Sequence, residues 1–378
     1  MSTSRRRFLQ GLSFAALASG WSWPLAEAEA ATLNSSGARI GPNNLITDVK
    51  GLRVGVAHDE RIRTGTTVIL PDRAAVAAVD VRGGGPATRE TDALDEHNLV
   101  QTIDAIVLSG GSVYGLAAAD GVAAWLGAQN KGFALIPAPG VPVSPIVPAA
   151  SLYDLADGGD KQWGEQPPYR ELGRLAASRA SERFELGTQG AGYGATTAVG
   201  TIKGGLGSAS VIASDGTTVG AIVAVNSLGS PVAAGSNAFW ATPYEIGREF
   251  GGGGSKALVK LRGQPEDWQL GILAGGRKNT TLACVATDLA LTRDELKRVA
   301  IMAHDGMARA IRPVHSPFDG DIVFAISTAQ REPGPERELA VLRVGALAAD
   351  TLARAIARGV YAATAWPGSS IKSWASLT

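Results

Sequence analysis

The stretch Gly275-Gly276-Arg277-Lys278-Asn279-Thr280-Thr281-Leu282-Ala283-Cys284-Val285-Ala286-Thr287-Asp288 changes character at its sixth residue. A polar, glycine-containing loop leads in, and from Thr280 onward small and β-branched residues read as a strand. Side chains along a strand alternate between its faces, so Thr280, Leu282, Cys284 and Ala286 share one face and Thr281 starts the other. Cys284 is the only cysteine in 378 residues. Its phase makes it a small buried apolar residue, and no intramolecular disulfide can form.

Working outward, strand-like runs rich in Val and Ile occur at 52–57, 66–70, 74–81 and 105–108, bounded by Gly, Asp or Pro. A helical pattern at 113–129 places Leu116, Val122, Trp125 and Leu126 on one face, and a second helix is expected at 169–182. The segment 198–227 reads as a strand meander with Asp215-Gly216 as a hairpin turn. Gly251-Gly252-Gly253-Gly254-Ser255 reads as a surface connector. Beyond the central strand, Thr292-Arg293-Asp294-Glu295 is a capping box that opens a helix to about residue 311. A strand at 320–327 and a long helix at 336–363, carrying Leu339, Leu342, Leu347 and Ile356, complete the pattern. Strands and helices come in clusters instead of strict alternation, which disfavours a doubly wound parallel sheet and points to an α+β layered sandwich.

Composition narrows the partners. Lys plus Arg number 35 and Asp plus Glu number 35, so the surplus of positive charge that a nucleic-acid binder needs is absent. Charged residues make up 19%, below the roughly 25% of ordinary globular chains, while 45% are hydrophobic, enough for a large core. The 48 glycines follow no collagen-like period and read as tight turns and close backbone approaches.

Residues 1–30 have the form of an export signal. Ser4-Arg5-Arg6-Arg7-Phe8-Leu9-Gln10 precedes an apolar run to about residue 25 and overlapping Ala-Glu-Ala triplets. The paired arginines followed by Phe-Leu resemble a twin-arginine signal, and the run is too short for a stable membrane span of about 20 residues. The expected location is the periplasm.

Common catalytic signatures are missing: there is no Gly-x-Ser-x-Gly, no phosphate loop, no Gly-x-Gly-x-x-Gly and no His-Glu-x-x-His. With four histidines (His58, His97, His304, His315) and one cysteine, a metal cage is hard to build, and His304 beside Asp305 reads as a helix-surface or packing residue. A remaining chemistry uses a Ser, Thr or Cys freed as a new chain N-terminus, whose own α-amine, with an ordinary pKa near 7.7 to 8.0, serves as the general base. The loop-to-strand junction at Thr280 has the required form.

Six motifs in order make the chain resemble the P1 peptidases, which include L-aminopeptidase/D-amidase-esterases and β-peptidyl aminopeptidases. These are Asn44-Leu45-Ile46-Thr47-Asp48-Val49 with Gly51-Leu52-Arg53-Val54-Gly55, Arg82-Gly83-Gly84-Gly85-Pro86 with Thr88-Arg89-Glu90, and Leu108-Ser109-Gly110-Gly111-Ser112-Val113-Tyr114-Gly115-Leu116. The others are Gly204-Gly205-Leu206-Gly207-Ser208-Ala209-Ser210, Asn279-Thr280 followed by Ala286-Thr287-Asp288, and Phe318-Asp319-Gly320-Asp321.

The resemblance implies a four-layer αββα sandwich like that of N-terminal nucleophile hydrolases. It implies a single domain over 31–378 that cuts itself between Asn279 and Thr280 into an α chain (31–279) and a β chain (280–378). It implies Thr280 as nucleophile where better-known members have serine, with Thr281 as the neighbouring alternative, and Asn226 as oxyanion donor. It also implies Asp319 and Asp321 at a pair that is Ser then an acidic residue elsewhere, with Ser316 as a fallback, and Tyr153 as a second oxyanion donor. The implied activity is hydrolysis of short peptides, amino-acid amides or esters with a free amine, without metal or organic cofactor, by a homo-oligomer of αβ units. An acyl transferase like the ornithine acetyltransferases and a non-catalytic small-molecule binder are the rival expectations.

Overall fold

Strands that are apolar on both faces need cover on both, and this requirement sets the layers. The computed structural model describes residues 37–233, 236–252 and 279–377. The expected export signal, most of the connector from Gly253 onward and the loop entering Asn279 lie outside the described residues.

Twelve strands are present among the described residues: β1 (Leu52–Asp59), β2 (Thr64–Pro71), β3 (Val76–Val81), β4 (Thr88–Arg89), β5 (Ile106–Ser109), β6 (Ala149–Ser151), β7 (Thr196–Thr197), β8 (Ile202–Lys203), β9 (Gly205–Ile212), β10 (Thr218–Val225), β11 (Leu282–Leu289) and β12 (Ile322–Arg331). Four α-helices accompany them: α1 (Ala118–Gly127), α2 (Tyr169–Ser178), α3 (Arg293–Ala310) and α4 (Arg337–Tyr361). One five-stranded sheet runs β1-β2-β5-β6-β4, the other β3-β12-β11-β10-β9, and β7 and β8 pair by themselves.

Three apolar cores separate four layers. The first joins α1 and α2 (Ala119, Val122, Leu126, Leu172, Ala176) to Val68, Leu70 and Val107 on the outer face of the first sheet. The second lies between the sheets, with Val54, Ile69, Ile106 and Leu108 meeting Ile222, Leu282, Cys284 and Phe324. The third packs α3 and α4 (Leu296, Val299, Leu352, Ile356) on Val219, Val223, Ala283, Val285 and Val323 of the second sheet. Alternate residues of β10 and β11 thus serve two cores, the period of two expected of a strand. Cys284 is fully buried in the middle core, as its phase indicated.

The hairpin at Asp215-Gly216 forms, with Gly216 at φ +84 and β9 pairing antiparallel to β10 from Ile212↔Thr218 to Gly205↔Val225. The capping box forms too: Thr292 N–H donates to Glu295 Oε2 at 2.8 Å and Glu295 N–H to Thr292 Oγ1 at 3.4 Å. Two helices are shorter than their patterns. Residues 112–117 of the first are a 3-10 turn, entered through Gly111 at φ +90 and Ser112 at φ +53. α2 stops at Ser178 because Ser181 exchanges both main-chain hydrogen bonds with Val54 of β1, at 2.9 and 3.0 Å. Tertiary pairing here overrides local propensity.

The second sheet contains the fold's main constraint. β11 and β12 are parallel neighbours from Leu282↔Ile322 to Thr287↔Ser327, joined by the crossover through α3, while β10 and β3 flank them antiparallel. α4 lies close on β9: a Cβ on Gly207 would sit 1.9 Å from the Ala355 carbonyl oxygen. Gly207→Ala should therefore force the helix off the sheet and cost about 1–3 kcal/mol of stability. Calorimetry would show this as a lowered Tm, and an unchanged Tm would contradict the close approach.

Candidate active site

Two parallel strands start at the same edge, and their antiparallel neighbours end there. Ala224, Leu282, Ile322 and Val81 form one row across β10, β11, β12 and β3. Two residues further out along these four chains come Asn226, Thr280, Gly320 and Gly83. Sequence positions nearly 240 apart are thus brought to one end of a sheet by register alone. The strand read from Thr280 onward begins two residues later, at Leu282. Thr280 N–H still bonds across to the Asn226 carbonyl at 2.6 Å, in register with β10, whereas Thr281 N–H is taken by a side chain, Asp321 Oδ1, at 2.8 Å.

Thr280 is 4% exposed, and its Oγ1 donates to the Asn279 carbonyl oxygen at 2.7 Å. The same oxygen accepts the Gly320 N–H at 3.0 Å. Gly320 is required by space: a Cβ there would lie 2.7 Å from Thr280 Oγ1 and 2.8 Å from the Gly85 carbonyl. The Arg82-Gly83-Gly84-Gly85-Pro86 motif supplies this wall, with the Arg82 and Gly85 N–H groups donating to the Asp321 and Asp319 carbonyls at 2.9 and 2.8 Å. Thr281, the alternative hydroxyl, is buried with no partner for its Oγ1.

Asn226 joins the two sheets. Its Oδ1 accepts the Thr196 N–H at 2.9 Å and its Nδ2 donates to the main-chain carbonyl of Tyr153 at 3.1 Å. An amide nitrogen has two protons, and one is used here. What Tyr153 contributes to this contact is its carbonyl.

The two aspartates point to different partners. Asp319 Oδ2 accepts from Ser316 Oγ at 2.5 Å and Ser316 N at 3.1 Å, and Oδ1 from Leu228 N at 3.1 Å. Burial, and secondarily the neighbouring Asp321 charge, pushes its carboxyl up to about 6. Ser316 is therefore the residue that holds Asp319. Asp321, 1% exposed, uses Oδ1 for Thr281 N–H and Oδ2 for His315, through its N–H at 3.0 Å and Nδ1 at 2.8 Å. His304, on α3, is buried beside this loop and not on the helix surface.

Sequence reasoning missed the groups behind Asn226. Thr196, whose N–H holds the Asn226 amide, donates its hydroxyl to Asp157 at 3.2 Å. Lys203, fully buried, donates to the carbonyls of Gly192, Ala195 and Gly204 at 3.0, 2.8 and 2.9 Å and lies 4.7 Å from the Trp366 ring centre. Burial lowers its ammonium to about 7, against the opposing pull of Asp157 and Asp154. Asp154, also fully buried, is raised to about 6 for the same reason. The one available signal was a lysine in strand phase, next to Ile202 and just before a glycine run.

The assembled groups are a buried hydroxyl against a peptide carbonyl, an amide N–H donor and a carboxylate pair, the components of nucleophilic acyl chemistry. The comparisons agree. The profile of peptidase family S58 matches residues 44–373. An uncharacterized aminopeptidase of Mycobacterium bovis is 41% identical over 346 residues, covering 84% of this chain and 93% of its own. A 6-aminohexanoate-oligomer endohydrolase of Kocuria sp. is 29% identical over 345 residues, covering 82% and 84%. The solved L-aminopeptidase D-Ala-esterase/amidase of Ochrobactrum anthropi, described as a variant of the Ntn hydrolase fold, superposes with a TM-score of 0.61 at 22% identity, covering 88% of this chain and 90% of that one. The four layers are thus those of that fold variant, and the chain, a hydrolase of the aminopeptidase kind, belongs to peptidase family S58.

Proposed function

We propose that the chain is a self-processing N-terminal nucleophile aminopeptidase or amidase that cuts its own Asn279–Thr280 bond and then uses Thr280 against short substrates with a free amine. One observation carries this reading: the Thr280 hydroxyl and the Gly320 N–H both reach the Asn279 carbonyl oxygen while the Thr280 N–H is held by Asn226.

In the first stage Oγ1 of Thr280 forms a bond to the Asn279 carbonyl carbon, the C–N bond breaks, and the departing nitrogen takes the proton. Gly320 N–H sits where negative charge develops on the carbonyl oxygen. Water then hydrolyses the ester, leaving a carboxylate on Asn279 and a free amine on Thr280. In the second stage that amine is the general base, and the second Nδ2–H of Asn226 supplies an oxyanion donor of a kind worth about 3 kcal/mol. Asp319, ionised above its raised pKa, offers the charge that an ammonium needs nearby. Water releases the acyl group. The relative named for 6-aminohexanoate oligomers supports including unbranched amino amides among the substrates. The signal-like residues 1–30 support a periplasmic enzyme.

Intact mass spectrometry tests the cut. The wild type should yield a fragment beginning at Thr280, residues 280–378, about a quarter of the 38.8 kDa chain, and Thr280→Ala should remain whole and inactive. An active preparation uncut at this junction would end the proposal.

The pH profile tests the carboxylate. Both the α-amine and Asp319 must lose a proton, so log kcat/KM should fall with slope two below about pH 6. In Asp319→Asn the residual activity should fall with slope one, and a slope of two in that variant would remove Asp319 from the reaction. Gly320→Ala, which pushes a methyl against Thr280 Oγ1, should reduce hydrolysis of an amino-acid p-nitroanilide on the order of a hundredfold; near-normal turnover would mean that the hydroxyl lies elsewhere.

A further inference from the structure

Asp321 connects the start of β11 to a pair of histidines, half-buried His315 and buried His304, that the chemistry above does not use. His315 binds a single oxygen of Asp321 twice, through its N–H and its ring Nδ1, while the other oxygen holds Thr281 N–H. The far ring nitrogen of His315, Nε2, is buried without a hydrogen-bond partner. Against that ring stands His304, the centroids 4.8 Å apart and the planes at 76°. His304 Nε2 lies 3.1 Å from the Asp80 carbonyl oxygen and 3.4 Å from Asp80 Oδ2, and its Nδ1 is likewise buried and unpartnered. Asp80 accepts in turn from Lys297 Nζ at 2.8 Å and Arg82 Nε at 2.5 Å, in the wall of a surface cavity of about 630 Å³.

The partners assign the tautomers. A carbonyl oxygen accepts only, so neutral His304 carries its proton on Nε2; a carboxylate oxygen accepts only, so His315 carries one on Nδ1. Burial lowers His304 to about 4, so it is neutral at ordinary pH and fills the space behind His315 edge to face. His315 is at φ +55, a left-handed conformation in which Asn, Asp and His are the enriched residues after glycine.

We propose that His315, backed by His304, is a positioning residue: it fixes Asp321 so that this carboxylate holds the β11 start and orients the Asp319–Asp321 pair beside Thr280. This role rests on the Thr280 reading. The groups facing the pair are His315 and Ser316 from its own loop, and the start of β11, with the Thr280 amine once it is free. Leu228 N–H comes from the segment after β10; behind His315, His304 from α3 faces Asp80 of β3, whose carboxylate Lys297 and Arg82 hold. Of the two carboxyls, Asp319 is the one raised to about 6, first by burial and then by the neighbouring Asp321 charge, and His315 donates to Asp321.

Two measurements test it. With four histidines in the sequence, ¹⁵N-histidine NMR of the wild-type protein at pH 8 resolves each ring; the expected result is a protonated Nδ1 on His315 and a bare Nδ1 on His304, and a bare Nδ1 on His315 overturns the proposal. Kinetics then compare His315→Gly, which fits the backbone but has no donor, with His315→Asn, whose amide nitrogen can replace Nδ1. The glycine substitution should lower kcat on the order of tenfold to a hundredfold with KM little changed, and move the acid-side break of the pH profile up by about half a unit. The asparagine substitution should restore both to within about threefold and a few tenths of a unit. Wild-type kcat and pH profile in the glycine substitution, or asparagine as impaired as glycine, overturns the role. Thr280→Ala, run alongside, separates the two levels. An active Thr280→Ala sinks the nucleophile reading itself, whereas an inactive Thr280→Ala beside a normal His315→Gly sinks only the positioning role.

Discussion

The parallel pairing of β11 with β12 is the constraint on which the site depends. A parallel neighbour must return through a crossover, and α3 supplies it, so the two strands begin side by side at one edge. Thr280 and Thr281 stand at the head of one, Asp319 to Asp321 at the head of the other. Antiparallel β10 and β3 finish at the same edge and bring Asn226 and the Arg82–Pro86 turn. A one-residue slip in any of these ladders would move the corresponding group to the opposite face, and buried side chains on both faces make such a slip costly. The site is as rigid as the sheet that carries it.

That rigidity supports groups which by themselves destabilise the fold. Asp319 and Asp154 are raised from 3.8 to about 6, so the folded chain binds their protons more tightly than the unfolded one; stability falls as pH rises through this window, and the full cost stands above it. Lys203 is lowered from 10.5 to about 7, and here the sign reverses, with the full cost standing below 7 and relieved as pH rises toward 10.5. Around neutrality both penalties are present at once, offset by mutual attraction and by the carbonyls that Lys203 satisfies. Buried groups shifted this far from their ordinary values mark a candidate functional region.

Much of this was legible in the sequence because it depended on local pattern. The hairpin at Asp215-Gly216, the capping box at Thr292 and the strand phase of Cys284 each follow from a few adjacent residues. The order of Thr280, Asn226, Asp319 and Asp321 in one site came from the resemblance, carried by motifs spread along the chain. What stayed hidden depends on contacts between distant segments. α2 ends where Ser181 finds Val54, not where its own residues lose helix propensity. Nearer in sequence, Ser316 reads only as a fallback and His315 not at all, because the turn that brings them onto Asp319 and Asp321 has no pattern of its own. Lys203 reads as an ordinary charge beside a glycine run, and only the fold shows that three carbonyls and a tryptophan surround it.

The threonine at 280 fits this rigid setting. Its branched Cβ restricts χ1 more than serine would, and Gly320 opposite leaves room for its hydroxyl to reach the Asn279 carbonyl. On the proposed chemistry the hydrogen bond from Thr280 N to the Asn226 carbonyl need not break when the chain is cut, since the nitrogen that loses the acyl group keeps protons to donate. The Gly320 N–H, by contrast, loses its acceptor when the Asn279 end departs. The cut therefore leaves the nucleophile's nitrogen anchored and frees one main-chain donor beside it, so that a site organised around its own peptide bond becomes open to another.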